Sequence, residues 1–155
     1  MEKFSLIIPC YNESKSLPLL IERLKIMKDN EKNLEIIIVN NGSTDETSEI
    51  LKALTHDLNF LILVDVKTNK GYGNGILSGL NAASGEILGW THADLQTDPI
   101  DALKGLEIFK KSTHPESLFV KGRRHGRPLM DVFFTIGMSI FEIILLRKFM
   151  WDINA

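Results

Sequence analysis

The stretch 91–99, "THADLQTDP", holds the residues best suited to metal chemistry. His92, Asp94 and Gln96 alternate there, and alternate residues of an extended chain project to one side. An imidazole, a carboxylate and an amide oxygen can together hold a divalent cation. Only one of the three carries a certain negative charge, so ligand phosphates must complete the shell. Mg²⁺ commonly binds in this way, and an imidazole shifts the preference toward Mn²⁺. The plainer alternative is a polar loop in which Asp98 caps the following helix and Pro99 opens it. In "VNNGSTDET", 39–47, Asn40 or Asn41 offers both a donor and an acceptor to a nucleobase edge. Asn-Gly after an apolar run is more simply a turn, and Ser43 with Glu46 has capping-box spacing.

Two further stretches suit anions. "NKGYGNGILSG", 69–79, fails the dinucleotide pattern G-x-G-x-x-G, because the last place falls on Ile76 or Ser78. It also lacks the Gly-Lys-Ser/Thr of a Walker loop. Lys70 beside a helix N-terminus remains a candidate anion ligand, with a tight turn and a solvated lysine as the alternative. "KGRRHGR", 121–127, gathers Lys121, Arg123, Arg124 and Arg127 in a chain whose net charge is −2. That cluster marks local anion binding. The single cysteine, Cys10, reads as a small buried residue at a strand end. With no cysteine pair, HExxH or Ser-His-Asp order, zinc and hydrolase chemistry lack support. His56 and His114 stand alone in polar stretches.

These groups need a frame, and the apolar periodicity supplies one. Apolar runs at 4–9, 34–39, 60–66, 86–94 and 117–124 predict five strands. Helical spacing separates them: Leu17, Leu20, Ile21 and Leu24; the stretch after Ser43; Leu77, Leu80 and Ala83; and Asp98 to about Lys111. From 128 to 150 the pattern is helical and strongly apolar. Alternating strands and helices with near-continuous apolar strands predict an α/β fold, a Rossmann-like mostly parallel sheet with helices on both faces. Ligands of such sheets sit at the carboxyl ends of the strands, where the chemically unusual stretches fall.

The 155 residues and one cysteine bound the possibilities. The length predicts one core, without staples. One cysteine excludes an intramolecular disulfide framework and points to a reducing compartment. Near-zero net charge gives no case for a nucleic-acid partner. The start has no signal-peptide pattern. The apolar stretch 132–146 contains Glu142 and is shorter than the ~20 residues of a membrane span. It reads as a helix lying against something apolar. The ending "WDINA" suggests a fragment of a longer chain.

Five segments in order resemble glycosyltransferase family 2, of the GT-A fold, and within it the dolichyl- and polyprenyl-phosphate sugar transferases. They are "SLIIPCYNE" (5–13), "EIIIVNNGSTDET" (35–47), "NKGYGNGILSGLNAASGEIL" (69–88), "HADLQTDP" (92–99) and "VKGRR" (120–124). The resemblance implies a nucleotide-sugar-binding GT-A core at 1–127 and, at 128–155, the start of an incomplete acceptor or membrane-proximal part. It implies that Pro9, Tyr11 and Glu13 frame the base, that Asn41 and Asp45 line the base and ribose pocket, and that Lys70 and Gly71 lie beside the donor. By the same resemblance His92, Asp94 and Gln96 hold a divalent cation, Mg²⁺ or Mn²⁺, Arg124 lies near the phosphates, and Asp152 falls on the acceptor side. Three positions depart from the family pattern: Asn40 and Asn41 stand where two acids are usual, and His92 replaces the first metal acid.

The implied activity is inverting transfer of a sugar from a GDP- or UDP-linked donor to a polyprenyl-type phosphate, with Asp94, Arg124 and Asp152 as the catalytic candidates. An ionised lipid phosphate needs no general base, whereas a sugar hydroxyl acceptor would need one. The basic stretch 121–127 followed by an apolar helix suits an anionic membrane surface, hence a peripheral place at the cytoplasmic face. The alternatives are a non-catalytic or truncated nucleotide-sugar-binding module, and a family member acting on a saccharide hydroxyl.

Overall fold

The structure, a computed structural model, describes residues 2–122 and 129–147. The chain divides into two compact units, Met1–Glu107 and Ile108–Ala155.

In the first unit, strands β1 (Phe4–Cys10), β2 (Leu34–Asn41), β3 (Leu61–Val66) and β4 (Ile87–Trp90) form one sheet. Its order is β3-β2-β1-β4, and every pairing is parallel. All residues of β1 and β2 are buried, as a parallel sheet covered on both faces requires. The helices of this unit are α1 (Leu17–Asn30), α2 (Thr47–Thr55) and α3 (Tyr72–Ala82); α4 (Ala102–Lys111), entered through a 3₁₀ turn at Pro99–Asp101, begins in this unit and ends in the second. α1 buries Leu17, Leu20, Ile21, Leu24 and Met27, a single stripe at helical spacing.

The strand period of two divides the core. Ile7, Ile37 and Val39 pack with Leu80, Ala82 and Ala83 at the end of α3. Leu6, Ile8, Ile36 and Ile38 are equally buried on the other face. α3 lies very close to the sheet: a Cβ on Gly79 would stand 2.3 Å from Ile7 Cγ2 and 3.0 Å from Val39 Cγ2. At the amino ends of the strands, buried Glu35 joins three segments. It pairs with the Lys3 ammonium and accepts from Ser5 Oγ at 2.6 Å, Ser84 Oγ at 2.7 Å and Ser84 N at 2.9 Å. Burial alone would raise the Glu35 carboxyl, but these donors hold it at about 2.

Two expectations change. α2 has no side-chain cap at its start, so Ser43 and Glu46 form no capping box. Gly42, at φ +72°, turns the chain so that Ser43 faces the end of β1. There its Oγ accepts from Asn12 N at 3.1 Å. Asp45 serves the helix instead, accepting from Thr47 N at 3.0 Å. The strand expected at 117–124 is also absent among its described residues, which are irregular after a 3₁₀ turn at Pro115–Ser117. Its β-branched and aromatic residues have strand propensity, but propensity without a neighbouring ladder makes no strand. Asp98 does cap as expected, accepting from Ile100 N at 3.1 Å with Pro99 at the first helical position.

In the second unit, α5 covers Leu129–Leu146. Met138, Ile140, Phe141, Ile144 and Leu145 each expose more than half of their surface. Among the described residues no helix is long and apolar enough to cross a membrane.

Candidate functional site

The chain builds β1, β2 and β3 outward in one direction and then returns to place β4 on the other side of β1. Loops leaving β1 and β4 therefore diverge and leave a crevice at their carboxyl ends. A cavity of about 240 Å³ opens there. β1 contributes Pro9 and Cys10 to its wall, the loop after β1 contributes Tyr11 and Glu13, and β2 contributes Asn41. Asn69, Gly71 and Tyr72 come from the turn into α3, and His92, Ala93 and Asp94 from the loop after β4.

The β1 and β2 loops hold each other. Asn12, at φ +57°, accepts through Oδ1 from Thr44 N at 2.8 Å. Glu13 N donates to Thr47 Oγ1 at 2.8 Å, and Glu13 Oε2 accepts from Ser16 Oγ at 2.7 Å. The two adjacent asparagines have separate duties. Asn40 Nδ2 donates to Asp65 Oδ1 at 2.8 Å, and Asn40 Oδ1 accepts from Ser43 N at 3.2 Å. Asn40 thus ties β2 to β3 and to its own turn.

Asn41 faces the cavity. Its Nδ2 donates to Gly71 O at 3.0 Å and to Asn69 Oδ1 at 3.4 Å. Asn69 Oδ1 in turn accepts from Gly71 N at 2.7 Å, so it faces Asn41 as an acceptor. Two acceptors at one terminal atom fix that atom as the NH₂ group. Asn41 Oδ1 then points elsewhere, and it is buried without a hydrogen-bond partner. A buried acceptor left unpaired costs about 1–3 kcal/mol.

On the β4 side, the His92 and Tyr72 rings stack with centroids 4.9 Å apart and planes 4° from parallel. The chain then turns. Leu95 is at φ +59°, and Asp94 Oδ1 accepts from Gln96 N at 3.0 Å. The expected one-sided display of His92, Asp94 and Gln96 assumed an extended chain; with this turn His92 and Asp94 reach the cavity wall and Gln96 does not. Burial, with the negative charge of Asp94 adding, pushes the Tyr72 phenol up to about 12. Tyr72 is therefore a neutral hydroxyl at physiological pH. Burial and nearby Glu13 also push the Cys10 thiol far up, which suits a packed residue and not a nucleophile.

Of the other expected site residues, Pro9, Tyr11, Glu13, Asn41 and Gly71 stand around the cavity together. Asp45 does not. Its carboxylate accepts from Thr47 N and, at 3.4 Å, from Ser14 N, and the bonds from Thr47 chiefly hold its pKa below the ordinary value. Lys70 is exposed between two lining residues without lining the cavity itself. Arg124 and Asp152 lie outside the described residues. Cys10, Asn69, Tyr72 and Ala93 line the wall without having been expected there; the signal for Tyr72 was an aromatic ring inside a glycine-rich turn.

Among the described residues no group of three or more His, Cys, Asp or Glu is placed to hold one metal ion. On the β4 side the wall instead offers one carboxylate, Asp94, and one imidazole, His92; Glu13, the other carboxylate of the wall, comes from the β1 side. This donor set fits a hard cation that keeps its other positions for phosphate and water, and not a closed cage.

A family profile described as "Glycosyl transferase family 2" matches residues 5–134. The chain belongs to glycosyl transferase family 2. Over 132 residues this family 2 chain is 34% identical to the undecaprenyl-phosphate 4-deoxy-4-formamido-L-arabinose transferase of Photorhabdus laumondii subsp. laumondii. That match covers 78% of the chain and 41% of the relative, so the chain spans less than half of the relative's length. The structure of S. aureus TarS 1–349 in complex with UDP matches with a TM-score of 0.59 and 26% identity, over 81% of this chain and 38% of that one. The mannosyltransferase PcManGT from Pyrobaculum calidifontis, in complex with GDP-Man and Mn²⁺, matches with a TM-score of 0.63 and 23% identity, over 72% of this chain and 33% of that one. The parallel sheet with its helices is the GT-A fold of these glycosyltransferases.

Proposed function

We propose that the chain carries the donor-binding part of an inverting glycosyltransferase that moves a sugar from a nucleoside-diphosphate sugar to a polyprenyl phosphate. The observation that carries this reading is the cavity at the strand ends. Asn41, with its unpartnered acceptor, and the Asp94–His92 pair both stand on its wall. The 34% identical relative is named as an undecaprenyl-phosphate sugar transferase, which supports the acceptor class.

The residues divide the work. Asn41 Oδ1 accepts from a base N–H, and half-exposed Tyr11 offers a ring face for stacking on the base. Asp94 and His92 hold a divalent cation, Mg²⁺ or Mn²⁺. Bound there, the cation supplies positive charge against the negative charge that grows on a departing diphosphate. Asp94 thus acts beside the leaving group and not as a base. An acceptor phosphate is already ionised at neutral pH and needs no proton removed. The family resemblance implies Lys70 and Arg124 as further cations near the phosphates, although Lys70 does not line the cavity. The apolar residues of α5, preceded in sequence by the basic stretch 121–127, suit an anionic membrane at its cytoplasmic face.

One observation favours a second reading, nucleotide-sugar binding without turnover: an amide and an imidazole, Asn41 and His92, occupy places where the family pattern has acids. Calorimetry with UDP- and GDP-sugars, with and without Mn²⁺, distinguishes the two when paired with a turnover assay on undecaprenyl phosphate. Transfer to the lipid supports the first reading. Metal-dependent binding without transfer, in this chain and in a longer one, supports the second. Asp94→Ala is expected to abolish the Mn²⁺-dependent part of nucleotide affinity; an unchanged affinity overturns the site.

A further inference from the structure

A histidine that ligates a metal ordinarily has its second ring nitrogen held by a carboxylate, a carbonyl or water, which fixes the plane of the ring. Among the described residues no hydrogen bond reaches the His92 ring, and its contact is the stack on Tyr72 at 4.9 Å and 4°. A parallel stack covers a face of the imidazole and leaves its edge open. Both nitrogens lie on that edge, and a metal bond forms in the ring plane.

Tyr72 is itself firmly placed. It is the first residue of α3 and follows Gly71, whose backbone sits at φ +96°. Asn41 holds the Gly71 carbonyl at 3.0 Å, and Asn69 holds the Gly71 amide at 2.7 Å. The backbone leading into the Tyr72 ring is therefore fixed from β2 and from its own turn.

We propose that Tyr72 is the positioning residue for His92: its ring sets the plane of the imidazole so that a ring nitrogen meets the cation shared with Asp94. The inference rests on the donor-binding reading of the cavity. It assigns to a ring stack the orienting role that a hydrogen bond plays at most histidine metal sites. It also connects the two ends of the cavity, because the residue that reads the base, Asn41, anchors the turn that carries Tyr72.

The test measures Mn²⁺ binding to the full 155-residue chain by electron paramagnetic resonance, with UDP present, alongside NMR of labelled histidine rings. Tyr72→Phe keeps the ring and is expected to bind Mn²⁺ as the parent does. Tyr72→Ala is expected to weaken Mn²⁺ about tenfold, the scale of lost ligand support, and to move the His92 ring signals. Tyr72→Leu, which keeps apolar bulk without a flat ring, is expected to do the same and guards against a folding defect. In a His92→Ala background the Tyr72→Ala loss is expected to vanish, because the two residues act as one unit. Equal losses from Tyr72→Ala with and without His92, or unmoved ring signals, overturn the proposal. A parent chain that binds neither Mn²⁺ nor UDP overturns the donor-binding reading itself, whereas loss of the Tyr72 effect alone leaves that reading standing.

Discussion

Asn41 shows how a side chain can be engaged at one end and left unpaired at the other. Its NH₂ group holds Gly71 and so shapes the turn into α3, while its oxygen remains buried and unpaired. Neighbouring Asn40 has both ends engaged. The two residues are chemically identical, and the strand alternation that sends one toward β3 and the other toward the cavity separates their roles. Asn41→Ala removes the acceptor and is expected to weaken UDP binding about tenfold, the worth of a satisfied buried hydrogen bond. Calorimetry against the parent chain checks this. Asn40→Ala is expected to lower the unfolding midpoint without a comparable loss of nucleotide affinity, since Asn40 faces Asp65 and Ser43.

At the scale of elements, α3 has to approach the sheet closely to bring Gly71 and Tyr72 to the cavity. Gly79 permits that approach, and Gly73 on the same helix faces open space. The two should respond oppositely to the same change. Gly79→Ala forces a methyl against Ile7 and is expected to destabilise the fold by about 1–3 kcal/mol. Gly73→Ala meets nothing and is expected to stabilise by up to ~1 kcal/mol, through helix propensity. Urea denaturation of both variants reads the two signs. On the other side of the crevice, the Arg23–Asp98 ion pair joins α1 to the cap of the Pro99–Asp101 turn. It thereby ties down the far end of the loop that carries His92 and Asp94, and it holds the Asp98 carboxyl below its ordinary pKa.

Across the whole molecule, the two ends of the sheet are built for different tasks. The carboxyl ends diverge into a cavity, and the amino ends close around Glu35. The folded Glu35 carboxyl sits at about 2 against an ordinary 4.5. Its contribution to stability is therefore complete above about pH 4.5 and is lost as the pH falls toward 2. The shift corresponds to at most roughly 3 kcal/mol. Denaturant unfolding between pH 7 and pH 3 should show this loss in the parent chain and a smaller one in Glu35→Gln. For the second unit, the exposed apolar residues of α5 predict association with vesicles rich in anionic lipid. Flotation with such vesicles checks it: binding that weakens with salt is expected, and no association counts against a membrane-facing helix.

The alternation of apolar runs and helical stripes was sufficient to establish the α/β class, because buried parallel strands and one-sided helices each leave a distinct period in a sequence. The strand-end loops were equally legible, since polar residues interrupt the apolar pattern where the chain leaves the sheet. The strand expected at 117–124 and the capping box at Ser43 were not decided there. Local propensity describes what a segment can do, and a ladder partner or a turn decides what it does. Only the tertiary structure showed that Gln96 does not line the cavity, that Asn41 rather than Asn40 does, and that Tyr72 stacks on His92. Each of these depends on a backbone angle or a contact between segments far apart in the chain, and no spacing within one segment encodes it.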